Sequence, residues 1–599
     1  MLRNSVLLLA VAGGCGWASS RAGDAADVLG RCREACGNLS ASTAVTLGRE
    51  KGAWRIAEVS LFYSGIPDAA TRNRDSDLRQ LAALTALDSL HVEGQYGRYS
   101  CTVTVEGIKR LLALKHLRRL MPPPSLTGGG LEALCALPEL EELELYRCEA
   151  IWDEDLVHLR NLASLRRLNL QNLKLTDAAL PYMKPLKTLD ELDLGETPVT
   201  DAGLAELKGL ENLRVLVLGD RESITDAGLA ELKGLRNLRK LDLRSNNRIT
   251  DAGLAELKGL KNLQELDLVS NHLITDAGLA QLKGLDNLRF LALGQAGEAG
   301  LSALKELPHL ERLAIGRYVP GAGKADLSSL GGLKWLTIGG IAGDKAGQVR
   351  LPENLERLGV SLEAVKKLSP QPSLRHLELV EVSLPLRLKS AVDLKWLSSL
   401  PALRELKLNG GTARAVSAIA GLASLRALTL TGGCGAAVND EAMKDLAGLR
   451  QLESLKIDSS WGVTDAGMGA LGHLTNLRRL ELACSSPLTA EGLASIGDLR
   501  QLRALRLYLS GEALKGSGDG VLAHLKGLSE LEELSFGGAT MTDEGLKSLA
   551  GLKKLRRLHL AYSAGYTDDG LASLMKALPD LQVLKRTYEP LADQGKKRE

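Results

Sequence analysis

Few residues of this 599-residue chain have the types and spacing that enzymatic chemistry requires. The best phosphate-binding candidate is the run PGAGKA at 320–325, which holds the Gly–Lys pair of a loop that cradles phosphates. Tyr318 stands where such a loop needs its first glycine, and Ala325 replaces the hydroxyl residue that would contact magnesium. The run therefore does not predict nucleotide binding.

The 9 histidines and 8 cysteines are scattered along the chain. No HExxH, GxSxG or paired CxxC pattern occurs, so the sequence predicts neither a zinc site nor a hydrolase of the common types. The run KGSGDG has too few carboxylates to bind calcium. We expect no catalytic residue, no metal and no cofactor, and we predict that the chain is not an enzyme.

The charge balance argues against a nucleic-acid partner. Lys and Arg number 75 against 73 Asp and Glu, which gives a net charge of +2. A protein that binds nucleic acid concentrates basic residues on one face, and that excess is lacking. Hydrophobic residues make up 45% of the chain but aromatic residues only 3%, so the core must consist mainly of leucine and alanine.

The first 22 residues are predicted to be an export signal. A basic start is followed by an apolar run from Val6 to Ala12, which is too short to span a bilayer. Two cleavage sites remain open. The run AGGC resembles a bacterial lipobox that would make Cys15 the lipidated first residue, although Ala stands where the family has Leu; ordinary cleavage after Ala22 is the rival. A retained segment is the third alternative.

This segment determines the predicted location. We expect an exported protein of the cell envelope, periplasm or extracellular space, either lipid-anchored or free. No later segment is apolar enough to span a membrane, so membrane contact would come only through a lipid on Cys15.

One repeated motif dominates the rest of the chain. Residues 224–243 read ITDAGLAELKGLRNLRKLDL, and residues 249–268 read ITDAGLAELKGLKNLQELDL. A leucine period of this length is typical of a solenoid, in which each unit packs only on its neighbours. The alternating end of the motif predicts a strand with one buried face. Its Thr-Asp start and the leucines three residues apart predict a short capped helix.

The motif resembles the leucine-rich repeat family over residues 55–585. The ITDAGLAxLKGL form is similar to the cysteine-containing or F-box-associated subtype and to long tandem arrays of planctomycete-type bacterial proteins. The resemblance implies an α/β solenoid of about 21 repeats shaped as a curved horseshoe. A parallel β-sheet would form its concave face and short helices its convex face.

Four regions follow from the pattern. We predict the export signal at 1–22, an N-terminal helical cap or linker at 23–58, the solenoid at 59–585 and a polar tail at 586–599. Cys32 and Cys36 in the second region either form a disulfide or are two buried thiols. Two further expectations concern irregular parts of the array.

The first irregular part comprises short repeats at about 294–402, where the helical motif disappears. We expect extended backbone or one 3₁₀ turn there in place of a helix. The second is the glycine-rich run at 510–522, which we predict to be a protruding loop.

The candidate partner-binding surface lies in and beside the short repeats. The outward strand positions there place Phe290 and Trp335 among small residues, in a chain with 3 Phe and 6 Trp. The predicted concave binding residues are Phe290, Arg312, Trp335, Thr337, Arg357 and His376. An apolar centre with a charged rim is typical of a partner-binding surface. The alternative is that Phe290 and Trp335 fold inward or pack on each other.

The sequence thus predicts a non-catalytic, exported scaffold that recognises a protein partner through its concave sheet face. One alternative is a structural component of the cell envelope. Another is an intracellular adaptor of the ubiquitin-ligase substrate-recognition type, which is disfavoured because no F-box-like helical region precedes the array. The sequence predicts no oligomeric state.

Overall fold

A computed structural model describes most of the chain. The described residues are 7–11, 42–50, 53–63, 75–94, 103–219, 223–319, 326–342, 349–361, 373–380, 397, 400–409, 416–417, 419–431, 438–460, 462–484, 487–509, 514–515, 518–561 and 565–586. They fall into two compact units. One spans Ile56–Gly410, and the other combines Met1–Arg55 with Gly411–Glu599.

The unit Ile56–Gly410 contains a parallel sheet in which each strand pairs with the next one along the chain. The central leucines of the motif are in register across the strands, and Leu241, Leu266 and Leu291 are all fully buried. The strands are Ala53–Tyr63, Ser89–Gly94, Arg119–Met121, Glu142–Glu144, Arg167–Asn169, Glu191–Asp193, Val215–Val217, Lys240–Asp242, Glu265–Leu268, Phe290–Gly297, Arg312–Val319, Trp335–Ile341, Arg357–Ser361, His376–Val380 and Glu405–Asn409.

Short helices cover the leucine side of this sheet. Leu254, Leu257 and Leu260 are buried, as a single apolar stripe facing the strands should be. The α-helices are Asp75–Leu81, Val105–Arg110, Gly128–Leu134, Asp201–Leu204, Asp226–Glu231, Asp251–Glu256, Asp276–Leu279 and Glu298–Ala303. The 3₁₀ helices are Leu111–Ala113, Asp153–Asn161, Asp177–Met183, Ala205–Gly209, Leu232–Gly234, Leu257–Gly259, Ala280–Leu282 and Leu304–Glu306.

The Thr-Asp-Ala-Gly start of each helix locks it to the repeat before. The Thr250 hydroxyl accepts the Ala252 amide at 3.2 Å and so caps its own helix. The carboxylate of Asp226, one repeat earlier, accepts the Thr250 amide at 2.8 Å and its hydroxyl at 2.6 Å. A Cβ on Gly253 would lie 2.2 Å from the same carboxylate, so glycine makes room for it.

This Thr–Asp–Gly lock recurs along both units. The aspartate bonds the threonine amide and hydroxyl of the following repeat in the pairs Asp75–Thr104, Asp153–Thr176, Asp177–Thr200, Asp201–Thr225, Asp251–Thr275, Asp440–Thr464, Asp465–Thr489, Asp519–Thr542 and Asp543–Thr567. Glycine follows three residues after the threonine in all of these except Asp153–Thr176, where Ala179 takes its place at the start of a 3₁₀ helix. The sequence predicted the helix cap. It did not predict that the aspartate serves the next repeat.

Buried asparagine holds the turns that follow the strands Lys240–Asp242 and Glu265–Leu268. The Nδ2 atoms of Asn246 and Asn271 donate to the carbonyls of Leu218 and Leu243, each at 2.9 Å. These carbonyls belong to the previous repeat. Backbone groups that the turn would leave buried without a partner are satisfied in this way.

The short repeats differ from the expectation in one respect. A helix, Glu298–Ala303, persists after residue 294 because Leu301 and Leu304 still have a sheet to cover. Beyond it, the described residues between Val319 and Val380 contain no helix, as expected. The strands Phe290–Gly297, Arg312–Val319 and Trp335–Ile341 are longer than the strands from Arg119–Met121 to Glu265–Leu268.

The second unit repeats the same architecture. Its parallel strands are Ala427–Thr431, Ser454–Ser460, Arg479–Cys484, Ala504–Leu509, Glu533–Gly537, Arg557–Ala561 and Gln582–Arg586, and a separate pair joins Leu488–Thr489 to Leu514–Lys515. Its helices are Asp440–Leu446, Asp465–Met468, Gly518–Leu525, Asp543–Ser548 and Asp568–Ala577, with 3₁₀ helices Gly469–His473 and Ala494–Asp498. The predicted α/β repeat fold, with a parallel sheet and short helices, is confirmed.

Two other predictions differ from the structure. The region 23–58 was expected to be a helical cap or a linker, but its described residues lie in the strands Ser42–Glu50 and Ala53–Tyr63, whose β-branched and aromatic residues favour extended backbone. The first of these strands pairs antiparallel with Leu7–Val11. The run 510–522 was expected to be a loop, but a helix begins at Gly518 because Val521, Leu522 and Leu525 form an apolar stripe.

Several predicted features lie outside the described residues. They are Cys15, Cys32, Cys36, the run 320–325 and nearly all of the tail at 586–599. The signal, the lipid anchor and the disulfide therefore stay predictions. Within the part of the chain that the structure describes, no helix is long and apolar enough to cross a membrane.

Candidate functional site

Five of the six predicted binding residues lie side by side on the open face of the sheet, the face opposite the helices. Strand register places Phe290 beside Arg312, then Trp335, then Arg357, and finally His376. We call these five residues the aromatic–arginine row. The leucine that follows each of them points to the helices and is buried. The alternative in which the two aromatic residues fold inward is wrong, because Trp335 is 37% exposed and Phe290 half-buried.

Cations and rings alternate along the row. The guanidinium carbon of Arg312 lies 4.6 Å from the ring centre of Phe290 and 4.9 Å from that of Trp335. Arg357 lies on the strand that follows Trp335, and its guanidinium carbon is 5.4 Å from the centre of the same Trp335 ring. Each such cation–π contact is worth about 0.5–1 kcal/mol at an exposed site. The stack thus orders four long side chains that would otherwise move freely.

A contact between an imidazole and a carboxylate ends the row. His376 Nδ1 lies 2.6 Å from Glu405 Oε2 on the next strand. Both side chains are about one-third exposed, which leaves the pair in contact with solvent. An acidic group therefore closes the row on this side.

Small residues form a floor beside the row. Two positions further along the strands, Ala292, Ala314, Thr337 and Gly359 are neighbours in register. Thr337 thus lies in this second line rather than in the aromatic–arginine row. The six predicted residues are therefore the five members of the aromatic–arginine row and one residue, Thr337, from the line of small residues beside it.

A third line consists of glycines. A Cβ on Gly316 would lie 2.7 Å from the carbonyl oxygen of Gly294, and one on Gly339 would lie 2.5 Å from that of Gly316. No larger residue fits these positions without a backbone shift. The floor is therefore flat, and the row stands above it.

A shallow cavity of about 70 Å³ opens at the far end of the row. Trp335, Arg357, His376 and Gly359 are among the residues that line it. Glu378 and Lys407 complete the rim with one charge of each sign. The cavity can receive a small group of a partner but is too small for a cofactor.

Acidic residues flank the row at its start. Glu265 and Asp267 lie on the strand next to Phe290 and Ala292. Burial raises the pKa of Asp267 against the hydrogen bond from the Val269 amide, and the nearby Asp242 carboxylate adds to the rise. Asp242 itself is 2% exposed and is paired with Arg244 through that side chain's Nε. The Asp242 carboxylate is therefore already paired within the protein.

Nothing among the described residues points to catalysis or metal binding. They contain no group of three or more His, Cys, Asp or Glu side chains that could hold a metal ion. Cys135 and Cys148 are buried thiols, and burial raises the pKa of each to about 12. A thiol with such a pKa stays protonated at neutral pH and is a poor nucleophile.

The sequence predicted the members of the row but missed how they contact one another. The signal was present, because Phe290, Arg312 and Trp335 each immediately precede the central leucine of their motif. Equal offsets from that leucine imply equal positions in a parallel register. The stacking contacts follow from that register.

Two family profiles agree with this architecture. The profile of the family described as leucine-rich repeat region matches residues 359–594, and that of leucine-rich repeats in two copies matches residues 236–281. Among solved structures, the chain is similar to an internalin from Listeria monocytogenes at 16% identity and a TM-score of 0.24, over 81% of this chain and 95% of that one. A comparison with curated proteins gives no match. The chain is a leucine-rich repeat protein.

Proposed function

We propose that this leucine-rich repeat protein is a non-catalytic scaffold that binds a protein partner through the open face around the aromatic–arginine row. The observation that carries the proposal is the ordered stack of Phe290, Arg312, Trp335 and Arg357 above a floor of small residues. Trp and Arg are the residue types that most often dominate binding energy at protein interfaces. Here they are exposed and already held in place.

The surroundings support the same function. Small residues and glycine leave space beside the row for a partner's side chains, and charged residues border it on both sides. An apolar and aromatic centre within a polar rim is the arrangement of protein interfaces. The neighbouring repeats, built on the nearly identical motif, act as the support for this face.

The direct test is partner capture from cell-envelope extracts with a matched control. The double variant Phe290→Asp with Trp335→Ala should lose the partner because it removes both rings of the stack. Trp152→Ala is the control: this Trp is 51% exposed but lies at the start of the helix Asp153–Asn161, away from the open face. Capture that is equal for the double variant and wild type would refute the proposed surface.

The proposal also places the protein outside the cytoplasm. The motivation is the N-terminal sequence, with its basic start, apolar run and Cys15. Mass spectrometry of the mature N-terminus tests it. A lipidated Cys15 or a start just after Ala22 supports export, whereas an intact Met1 favours the intracellular adaptor alternative.

A further inference from the structure

We propose that Arg312 and Arg357 bind two carboxylates of an acidic, extended partner segment, one on each side of Trp335. We call these two residues the arginine pair. The inference rests on the proposed function, since it names the chemistry of the partner segment that the open face would take.

The arginine pair is oriented by rings and not by carboxylates. In the described part of the chain, the only recorded partners of the two guanidinium groups are the rings of Phe290 and Trp335. The contrast is Arg167, which occupies the same strand position in an earlier repeat and donates to Glu142 at 2.8 Å. The positive charge of the pair is therefore not neutralised by a neighbouring carboxylate.

Ring stacking leaves the recognition edge of each arginine available. The five N–H donors of a guanidinium lie in its plane, whereas the rings cover its faces. A carboxylate can accept two of these donors side by side, and that geometry makes the bond specific as well as strong. Because the stack already orders both side chains, binding costs little further loss of rotamer freedom.

The spacing of the pair defines the partner segment. The two guanidinium carbons lie 4.9 and 5.4 Å from the same ring centre, on strands to either side of it, so they are at most about 10 Å apart. In a polyproline II segment, residues i and i+3 project from one side and are about 9.3 Å apart. Two glutamates separated by two prolines therefore match the pair, and the prolines would contact Trp335 as in other aromatic-lined grooves.

The borders of the row favour a short acidic segment over a long polyanion. Glu265 and Asp267 lie just before the row, and Glu405 closes it. A nucleic acid that crosses the sheet would bring its phosphates against these carboxylates. A segment with only two carboxylates, bound at Arg312 and Arg357, meets this repulsion at the Arg357 end alone, where Glu378 and Glu405 line the same cavity.

The test is a fluorescence anisotropy titration of the full-length protein at low ionic strength. The probe is labelled acetyl-Gly-Glu-Pro-Pro-Glu-Gly-amide, and its matched control has glutamine in place of both glutamates. We expect the control peptide to bind at least about tenfold more weakly, because it loses two hydrogen bonds to charged groups. Arg312→Gln and Arg357→Gln should each weaken binding of the acidic peptide about tenfold, whereas Arg167→Gln should not change it.

Several results would overturn the inference. They are the absence of binding, equal affinity for the two peptides, an equal loss in Arg167→Gln, or tighter binding of a single-stranded oligothymidine. Arg312→Lys is the control for unfolding. It keeps the charge and should bind the acidic peptide better than Arg312→Gln, while the two variants give the same circular dichroism signal. If the acidic peptide does not bind while partner capture still depends on Trp335, the inference is refuted and the proposed function stands.

Discussion

Replacing Gly253 by Ala tests the Thr–Asp–Gly lock between repeats. In an ordinary helix this change stabilises, because Gly is about 1 kcal/mol worse than Ala. Here the new Cβ would lie 2.2 Å from Asp226 Oδ1, 3.0 Å from its Cγ and 3.1 Å from Leu229 Cδ1. The carboxylate or the helix has to shift, so we expect the sign of the effect to reverse. The lock Asp153–Thr176 has Ala179 at this position, but its helix Asp177–Met183 is a 3₁₀ helix, whereas Asp251–Glu256 is an α-helix.

The magnitude follows from the bonds that are lost. Asp226 accepts the amide and the hydroxyl of Thr250, and a hydrogen bond to a charged group contributes about 1.5–3 kcal/mol. Water replaces part of this, and the better helix propensity of Ala offsets about 1 kcal/mol. We expect Gly253→Ala to destabilise its repeat by about 2 kcal/mol.

Native-state hydrogen exchange is the suitable assay, since a long repeat array need not unfold in one step. Amides of the helix Asp251–Glu256 should exchange about thirtyfold faster in Gly253→Ala. Gly259→Ala is the control, because nothing lies within 4 Å of its Cβ. In an Asp226→Ala background, Gly253→Ala should cost nothing. Equal effects at both glycines, or an undiminished cost without Asp226, would refute the lock.

Three further predictions follow from burial and hydrogen bonding. Leu266→Ala should cost about 2–5 kcal/mol by hydrogen exchange of its strand, because the fully buried side chain leaves a cavity; a cost below 1 kcal/mol would contradict the packing. The Thr567 hydroxyl and amide lower the pKa of Asp543. This lock therefore contributes its full stability above the unfolded-state pKa of about 3.9, and that contribution is lost as the pH falls through the lower pKa of the folded state. The protection factor of the Thr567 amide, which corrects for the slower intrinsic exchange in acid, should therefore fall, and Thr567→Val should raise the pKa of Asp543 in a carboxyl NMR titration. Burial raises the pKa of Cys135 and Cys148 to about 12, so iodoacetamide should label them at pH 8 only after unfolding, as mass spectrometry would show.

The regular part of the fold could be predicted from the leucine pattern alone. Strands of the described chain follow the predicted repeat from Ser89–Gly94 to Gln582–Arg586, because period-2 burial and a regular repeat leave little freedom. The prediction failed where glycine content was given more weight than apolar spacing, at Gly518–Leu525. It failed at Ser42–Glu50 because no repeat motif marks that strand.

Contacts between repeats were harder to predict. Asp226 reads locally as a helix-cap residue, and only the stacking of repeats shows that its carboxylate bonds Thr250. The same holds for the aromatic–arginine row, whose members are separated by whole repeats in sequence and adjacent only through strand register. Local propensity predicts helices and strands, whereas these contacts depend on the register and spacing of neighbouring repeats.

Site-specific photo-crosslinking tests the central claim, that the open face binds a protein partner, most directly. A photoreactive phenylalanine analogue is placed at Trp335 in one strain and at Trp152 in another, since both side chains are exposed and only the first lies on the open face. The account predicts a discrete crosslinked partner from position 335 and none from position 152. A partner crosslinked equally from both positions, or only from position 152, would contradict it.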